Sequence, residues 1–390
     1  MIKSDRIAGL DGLRFISITF VVLLHLFTFK SNFGYDTFYY PILETIGGVY
    51  GVQFFFIISG FLLTYLLLKE VQQKGAINLK AFYLRRVLRI WPAYYLLVVI
   101  ALLLVLKLPF FRVPGITDAY ISNHPDKSNL FYLLFLPHIA PYQNSTAPFV
   151  HHTYTIGIEE QFYLLWGALF FFFRKHIASI FIFILVTILL MNIIHETLFE
   201  YASARDGTSH LIILIKKALF YVKYSKISTF TIGSLFGYAY FKEKNWVQYF
   251  RQKVVQVFVY LVIILSIIFN VQVPYFHYEY VGLSIACLIL IATFKQESVI
   301  NYNSRWLSYL GKISYGIYLF HIFAIFFAIK LLQDIFQLPI DNLWQLILLC
   351  FLTLSISVFL GWLSYTYFEK FFLKLKYRFN NSGEEKKGIA

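Results

Sequence analysis

Two ionisable residues, at the start of and within the first apolar segment, have a spacing that suggests joint chemistry. Arg14 and His25 lie eleven residues apart. That is almost three helical turns, so both share one helix face, about 16 Å apart along the axis. An ionisable group inside an apolar span is costly and therefore predicts a function. Because histidine titrates near neutral pH, we predict that His25 is a general base. The alternatives are a hydrogen-bonded packing histidine and an arginine that reaches the membrane surface.

Three arginines form a second candidate site. Arg85, Arg86 and Arg89 precede Trp91-Pro92 and are neighbours on one helical surface. Guanidinium groups bind phosphates in a bidentate manner, so the cluster predicts a cytosolic phosphate-binding site. The alternative is a positive anchor that binds the headgroups of membrane lipid.

Two adjacent carboxylates form a third candidate site. His152-Thr153-Tyr154-Thr155 precedes Glu159 and Glu160, at the predicted outer end of a span. Adjacent helical residues point about 100° apart, so only one of the two can face a given cavity. We predict that this one orients a catalytic base, while the other bonds within the bundle or holds a loop. The alternative is an acidic helix start, which the helix dipole favours.

A small hydroxyl residue interrupts another apolar run. Ser59 precedes Gly60 within the segment 51–68. The functional interpretation is a hydroxyl and open backbone that line a cavity. The alternative is close helix packing, which small residues permit.

Transmembrane helices are the elements that must position these side chains. The chain has 390 residues, of which 59% are apolar and 14% are charged, against about 25% charged in a soluble domain. Apolar blocks of about 17 to 25 residues match the length that crosses the hydrocarbon core. The sequence predicts an all-α, polytopic transmembrane helix bundle of about ten spans. The candidate spans are 13–30, 48–69, 91–108, 156–174, 177–198, 227–242, 254–272, 279–295, 307–331 and 343–368.

The distribution of positive charge predicts the orientation. With the N-terminus in the cytosol, 24 of the 34 Lys and Arg residues fall on the cytosolic side, as the positive-inside rule requires. Both termini are then cytosolic, in the inner or plasma membrane. The basic segment 205–226 conflicts with this count, and the apolar segments 129–137 and 210–222 are too short to span. The net charge of +14 is assigned to topology, which excludes a nucleic-acid partner.

The remaining sequence predicts one membrane domain over 1–379 and a disordered cytosolic tail over 380–390. The first apolar run is interpreted as a retained helix, because no small-residue cleavage site follows it. The proline-rich stretch 109–155 is interpreted as an ordered loop or lid. Cys287 and Cys350 lie inside apolar runs, so neither a disulfide framework nor a metal site is expected.

Five motifs in order resemble the membrane-bound acyltransferase-3 family over nearly the whole chain. The segments Leu10–Arg14 with His25, Ile57–Leu62, Phe82–Arg89, His152–Tyr163 and Ser314–His321 are similar to the family's LDGLR and R-x10-H, SGFL, FYxRRxxR, HTWSLxxEEQFY and SYxLYLxH motifs. The chain departs from the family at Gln53, where relatives often have Asp, and at Lys226 and Ser228, where they tend to have Arg and Asp. Many relatives also append an extracytoplasmic SGNH hydrolase-like domain, which is not expected here. Any such activity would come from a separate extracytoplasmic partner.

The resemblance implies transfer of an acyl group, commonly acetyl from acetyl-CoA, to a hydroxyl of a carbohydrate or related small acceptor of the cell envelope. Acyl-CoA is then the co-substrate, with its phosphates near Arg86 and Arg89, and with Arg14 or Arg85 as further candidates. Its pantetheine arm would pass Ser59 on the way to His25. His25 would act as base on the acceptor hydroxyl, oriented by one glutamate, or would carry the acyl group transiently.

Two other functions remain open at this stage. A transporter or flippase would also need polar groups near the membrane midplane, although no inverted repeat is visible. A structural anchor for other envelope enzymes would leave Arg14, His25 and Glu160 without a purpose, since buried ionisable groups are costly. A second histidine, His321, lies in a predicted span beside Tyr315 and Tyr318, with a packed core residue as the alternative to a functional one.

Overall fold

The computed structural model describes residues 7–35, 44–122, 126–139, 147–203 and 210–381. Every regular element within these ranges is helical, which confirms the predicted all-α class. The α-helices are α1 (Leu10–Ser31), α2 (Val52–Lys74), α3 (Leu79–Val99), α4 (Thr117–Ser122), α5 (Asp126–Leu133), α6 (Tyr154–Phe173), α7 (Ile177–Ser203), α8 (His210–Tyr224), α9 (Ile227–Phe241), α10 (Lys253–Ile268), α11 (His277–Thr293), α12 (Arg305–Lys330), α13 (Leu343–Ser364) and α14 (Lys370–Asn381).

Several of these helices are long and apolar enough to cross a membrane, as expected of a multi-pass membrane protein. Within the described ranges there are six such segments, or seven if the bent pair Asn245–Arg251 and Lys253–Ile268, at 82°, forms one span. The six are Leu10–Ser31, Glu44–Lys74, Leu79–Leu103, His151–Leu198, Arg305–Ile335 and Leu343–Leu375. The predicted total of about ten stays a prediction, as does the orientation.

The segment His151–Leu198 folds back on itself near its middle. In one straight helix, Phe170 and Phe181 would lie about 16 Å apart along the axis. Their ring centroids are instead 5.9 Å apart, and the short 3-10 turn Arg174–His176 separates α6 from α7. The chain therefore reverses at this turn, where the sequence predicts the boundary between the spans 156–174 and 177–198.

The third helix begins earlier than predicted. It starts at Leu79, where the Asn78 side chain accepts a hydrogen bond of 3.0 Å from the backbone NH of Ala81, rather than at residue 91. The apolar run alone set the predicted start, whereas the cap at Asn78 determines the actual one. As a result, the three arginines lie within α3 itself, ahead of the predicted apolar span. The last helix ends at Asn381, and most of the predicted tail lies outside the described residues.

The chain divides into two compact units, each of which is described by itself. The first unit contains residues 1–17, 49–77 and 168–308, and the second contains residues 18–48, 78–167 and 309–390. The first thus holds the start of α1 together with α2 and α7 to α11. The second holds the rest of α1 together with α3 to α5, most of α6, and α12 to α14.

In the first unit, α2 and α9 pack with their backbones in contact. A methyl group added at Gly60 would lie 2.2 Å from the Phe230 carbonyl oxygen, and one at Gly233 would lie 2.3 Å from the Ile57 carbonyl oxygen. The Ser234 hydroxyl also donates a hydrogen bond of 3.2 Å to the Gly60 carbonyl. Gly60 therefore follows the packing interpretation of the Ser59-Gly60 pair, as small residues do at close helix crossings.

In the second unit, the proline-rich stretch packs on α12 through aromatic rings. The rings of Phe111 and Phe326 are stacked 5.4 Å apart, and those of Phe149 and Phe323 are stacked 4.8 Å apart. Such pairs stabilise a contact beyond the burial of their area. The described parts of this stretch are therefore ordered against the helix that carries His321, in agreement with the predicted loop or lid.

We expect Gly60→Ala to destabilise the protein, because its new methyl group would collide with backbone atoms that cannot move away. The matched control is Gly282→Ala in the same unit, where the nearest atoms lie at an ordinary 3.4 Å and a helical alanine is favoured over glycine by about 1 kcal/mol. Thermal unfolding in detergent should show a lower midpoint for Gly60→Ala and an unchanged or higher midpoint for Gly282→Ala. Equal midpoints would contradict the close packing of α2 and α9.

Candidate active site

The centre of the candidate site is a pair of histidines from the two ends of the chain, in the second unit. His25 on α1 and His321 on α12 place Nδ1 and Nε2, respectively, 2.8 Å apart. Their rings are stacked with centroids 4.9 Å apart. His321 is fully buried, and its own Nδ1 lies 2.6 Å from the Tyr318 carbonyl oxygen.

These contacts assign the tautomers of the neutral pair. A carbonyl oxygen can only accept a hydrogen bond, so His321 Nδ1 carries a proton and donates this hydrogen bond to the Tyr318 carbonyl oxygen. His321 Nε2 is then an acceptor, and His25 Nδ1 must donate to it. The lone pair of His25 is consequently on Nε2, the atom that faces away from His321. A neutral imidazole with a free Nε2 lone pair is the form that acts as a general base.

Two consecutive histidines complete this group. The rings of His151 and His152 lie 5.8 Å and 6.4 Å from that of His25, and His152 lies 4.7 Å from His321. His152 Nε2 donates to the Leu319 carbonyl at 3.2 Å. Among the described residues, no group of three or more His, Cys, Asp or Glu side chains is arranged to hold a metal ion.

Tyr318 links α12 to the start of α6. Its hydroxyl donates to the His152 carbonyl in a short hydrogen bond, and it lies 2.5 Å from the Thr155 hydroxyl. The backbone carbonyl of Tyr318 accepts the hydrogen bond from His321 Nδ1. Tyr318 therefore positions the histidine group through its side chain and its backbone together.

The arginine cluster lies in the same unit and is balanced by carboxylates. The Arg86 guanidinium lies 4.8 Å from the centre of the Tyr163 ring, whose hydroxyl donates to Glu159 in a short hydrogen bond. Arg86 also interacts electrostatically with Glu159 and Glu160. Opposite charge nearby offsets part of the cost of holding a cation in apolar surroundings.

Glu160 and Glu369 extend this network. Trp91 Nε1 donates to Glu160 at 3.1 Å. Glu369 is buried, accepts a hydrogen bond of 2.7 Å from the Ser364 hydroxyl, and interacts electrostatically with Arg89. The second unit thus holds a cationic and acidic network on α3, α6 and the segment after α13, and the histidine group on α1, α6 and α12.

The structure brings some predicted site residues together and separates others. His25, Arg85, Arg86, Arg89, Glu159 and Glu160 all belong to the second unit, whereas Arg14 and Ser59 belong to the first. Arg14 forms an ion pair with Asp11 at 3.0 Å. The orienting partner at His25 Nδ1 is His321, not one of the glutamates, so that prediction was wrong in its choice of residue. The described hydrogen bonds of the glutamates join Trp91 and Tyr163 instead.

Two residues of the site were not predicted. His151 adjoins the His152 motif, and its position directly before that motif was the available signal. Glu369 follows the last predicted span by one residue and belongs to none of the five motifs. In the structure, Glu369 packs closely against α12, because a methyl group added at Gly316 would lie 2.9 Å from Glu369 Oε1.

Comparison with known proteins decides the family. The model of the acyltransferase domain family, acyltransferase-3, matches residues 7–362. The chain belongs to the acyltransferase-3 family. The histidine group, Arg86 and Arg89 therefore lie in an acyltransferase-3 domain.

Curated relatives of this acyltransferase-3 chain carry names of one kind. It is 28% identical over 95% of its length to "Putative O-acetyltransferase SACOL0978" of Staphylococcus aureus strain COL, covering 58% of that protein. It is 29% identical over 44% of its length to "Peptidoglycan O-acetyltransferase OatA" of Listeria monocytogenes, covering 25% of it. It is 25% identical over 93% of its length to "Putative peptidoglycan O-acetyltransferase YrhL" of Bacillus subtilis, covering 54% of it. The chain thus spans little more than half of these relatives at most, and no solved structure matches it.

Proposed function

We propose that this protein transfers an acetyl group from acetyl-CoA to a hydroxyl of a cell-envelope carbohydrate, with His25 as the general base. The family match and the relatives' names support O-acetylation as the reaction class. The observation that carries the proposal is the 2.8 Å contact between His25 Nδ1 and His321 Nε2, because it leaves a lone pair on His25 Nε2. The proposed location is the plasma membrane, with both termini in the cytosol.

In the proposed reaction, His25 Nε2 takes the proton of the acceptor hydroxyl while the hydroxyl oxygen attacks the thioester carbonyl. The new carbon–oxygen bond forms, the carbon–sulfur bond breaks, and the proton passes from His25 to the departing thiolate. His25 is cationic between these steps, and its Nδ1 proton remains donated to His321. A neutral imidazole and a carbonyl dipole thus orient the base without a second buried charge.

The donor phosphates are proposed to bind at Arg86 and Arg89. The Arg86 guanidinium lies over the Tyr163 ring, and nearby carboxylates interact electrostatically with Arg86 and Arg89. Arginine suits this role because its planar group bonds two phosphate oxygens at once. Arg85 remains a proposed additional contact, and Arg14, which belongs to the first unit, stays a prediction.

The transporter or flippase alternative is not favoured. The family match describes an acyltransferase domain, and a base with an assigned tautomer has no use in moving an intact glycan. The proposal includes a separate extracytoplasmic protein that completes transfer to the final polymer. Supplying a soluble acceptor tests whether that partner is needed.

Replacing the base should nearly abolish transfer. We expect His25→Ala to lower the rate of acetyl transfer from acetyl-CoA to a soluble glycan by about 10² to 10⁴. Mass spectrometry of the glycan measures the product, and size-exclusion chromatography of the purified variant checks that it is folded. His195→Ala, at a histidine of the first unit, is the matched control and should transfer normally. Wild-type transfer by His25→Ala would remove His25 from the mechanism.

His321 should act as a positioning residue, distinguishable from a merely structural one. We expect His321→Phe to keep the ring volume, remove the acceptor at His25 Nδ1, and lower kcat by about 10²-fold through misorientation of the base. His321→Gln places an amide oxygen near the position of Nε2 and should recover part of kcat. The KM for acetyl-CoA should stay unchanged in both variants. Equal losses in the two variants, or a rise in KM alone, would contradict the positioning role.

Arg86 should matter for the phosphates of the donor. We expect Arg86→Gln to raise the KM for acetyl-CoA by about ten-fold or more, the value of one lost charge-assisted hydrogen bond. With S-acetylpantetheine, which lacks the nucleotide and its phosphates, the variant and the wild type should have the same KM. Lys80→Gln, an exposed cation at the start of α3, is the control. Equal effects on the two donors would assign Arg86 to a structural network.

A further inference from the structure

A second group of buried polar side chains lies in the first unit, apart from the residues assigned to acyl transfer. Gln53 is in the first turn of α2, Asn192 is on α7, and Thr229 is in the first turn of α9. His277 and Glu279 begin α11. Gln53, Asn192 and Glu279 are 1%, 3% and 6% exposed, respectively. Four helices therefore supply polar groups to one largely buried region.

Hydrogen bonds and charges join these residues. Asn192 Nδ2 donates to Glu279 Oε1 at 3.1 Å, and Thr229 donates to Gln53 Oε1 at 3.2 Å. A methyl group added at Gly282, one turn after Glu279, would lie 3.7 Å from Gln53 Oε1. Glu279 interacts electrostatically with His277. The two hydrogen-bonded pairs are thus neighbours along α11.

Lys226 brings a cation to the same group. Its ammonium lies 3.3 Å from the centre of the Tyr278 ring and interacts electrostatically with Glu279. The group therefore contains a carboxylate, an ammonium, two amides and an imidazole.

Several buried polar atoms of this group have no hydrogen-bond partner within the part of the chain that the structure describes. They are Gln53 Nε2, Asn192 Oδ1, Glu279 Oε2 and both ring nitrogens of His277. A buried polar atom without a partner costs about 1 to 3 kcal/mol, so five in one region are costly. Because most buried polar atoms in native proteins have a partner, these five atoms call for an explanation, and a bound ligand is one.

The kinds of atom indicate the chemistry of the ligand. Gln53 Nε2 and Lys226 donate, Glu279 Oε2 and Asn192 Oδ1 accept, and His277 can do both. An anion would be repelled by Glu279, and a cation would be repelled by Lys226. Hydroxyl groups both donate and accept and carry no charge, so they match a mixed set of donors and acceptors.

We propose that Gln53, Asn192, His277 and Glu279 form a binding site for an uncharged, hydroxyl-rich ligand, namely a sugar unit of a glycan. In the predicted orientation, the starts of α2, α9 and α11 lie on the extracytoplasmic side, where envelope glycans are found. The inference rests on the proposed function only for the source of the sugar, since the site itself contains no residue assigned to transfer.

Direct binding tests the site without any transfer reaction. The probes are chitotetraose, which carries hydroxyl and acetamido groups, and maltotetraose, which carries hydroxyl groups alone. They are titrated into the full-length protein in nanodiscs and followed by calorimetry. We expect saturable binding of at least one probe, and Kd raised about ten-fold or more by Glu279→Gln. Gln53→Leu, which removes a neutral group, should also raise Kd, and Glu297→Gln, at a half-exposed acid of the same unit, should not.

The outcomes separate this inference from the proposed function. Failure of both probes to bind, or an unchanged Kd in both Glu279→Gln and Gln53→Leu, would overturn the sugar site even if acetyl transfer proceeds. Binding that survives in His25→Ala supports the site independently of catalysis. A His25→Ala variant that still transfers acetyl would overturn the proposed function and leave the binding result standing.

Discussion

The charges of this protein must be accommodated where water is scarce, and this constraint bears on both clusters of the second unit. An unpaired charge in apolar surroundings costs several kcal/mol. The histidine group meets the constraint by staying neutral, because a carbonyl orients His321, which in turn orients His25. The arginine network meets it through nearby opposite charge, since Arg86 interacts electrostatically with Glu159 and Glu160, and Arg89 does so with Glu369. One physical demand thus has two chemical solutions in the same unit, and each suits its proposed role.

Much of the helical framework could be predicted because apolar run length and turn residues are local properties. The reversal at Arg174–His176 lies where two apolar runs meet a pair of cations, and the starts of α10 and α12 agree with prediction to within two residues. The start of α3 was placed too late because amphipathic helices extend beyond apolar runs, and a capping asparagine determines where they begin. The total number of spans is a less local property, since short helices such as α8 satisfy neither the spanning length nor the definition of a loop.

The site was predictable one element at a time, and its pairings were not. A histidine in an apolar run is visible in the sequence, so His25 and His321 were both noted. Their contact joins residues separated by 296 positions, and no local pattern encodes such a separation. One of Glu159 and Glu160 was expected to orient His25. On α6, however, they lie more than one turn beyond Thr155, which faces Tyr318, and that rise brings them to the arginines. Glu369 escaped notice because it follows the end of an apolar run.

The contact between α2 and α9 has a mechanical consequence. Because main-chain atoms meet main-chain atoms at Gly60 and Gly233, no intervening side chain can change rotamer to let one helix slide or turn against the other. The two helices must therefore move as one rigid body in any rearrangement of the first unit. Bending has to occur elsewhere, at the loops that enter and leave this pair. Gln53 and Thr229, at the same end of this helix pair, would stay at the same distance from each other throughout such a motion.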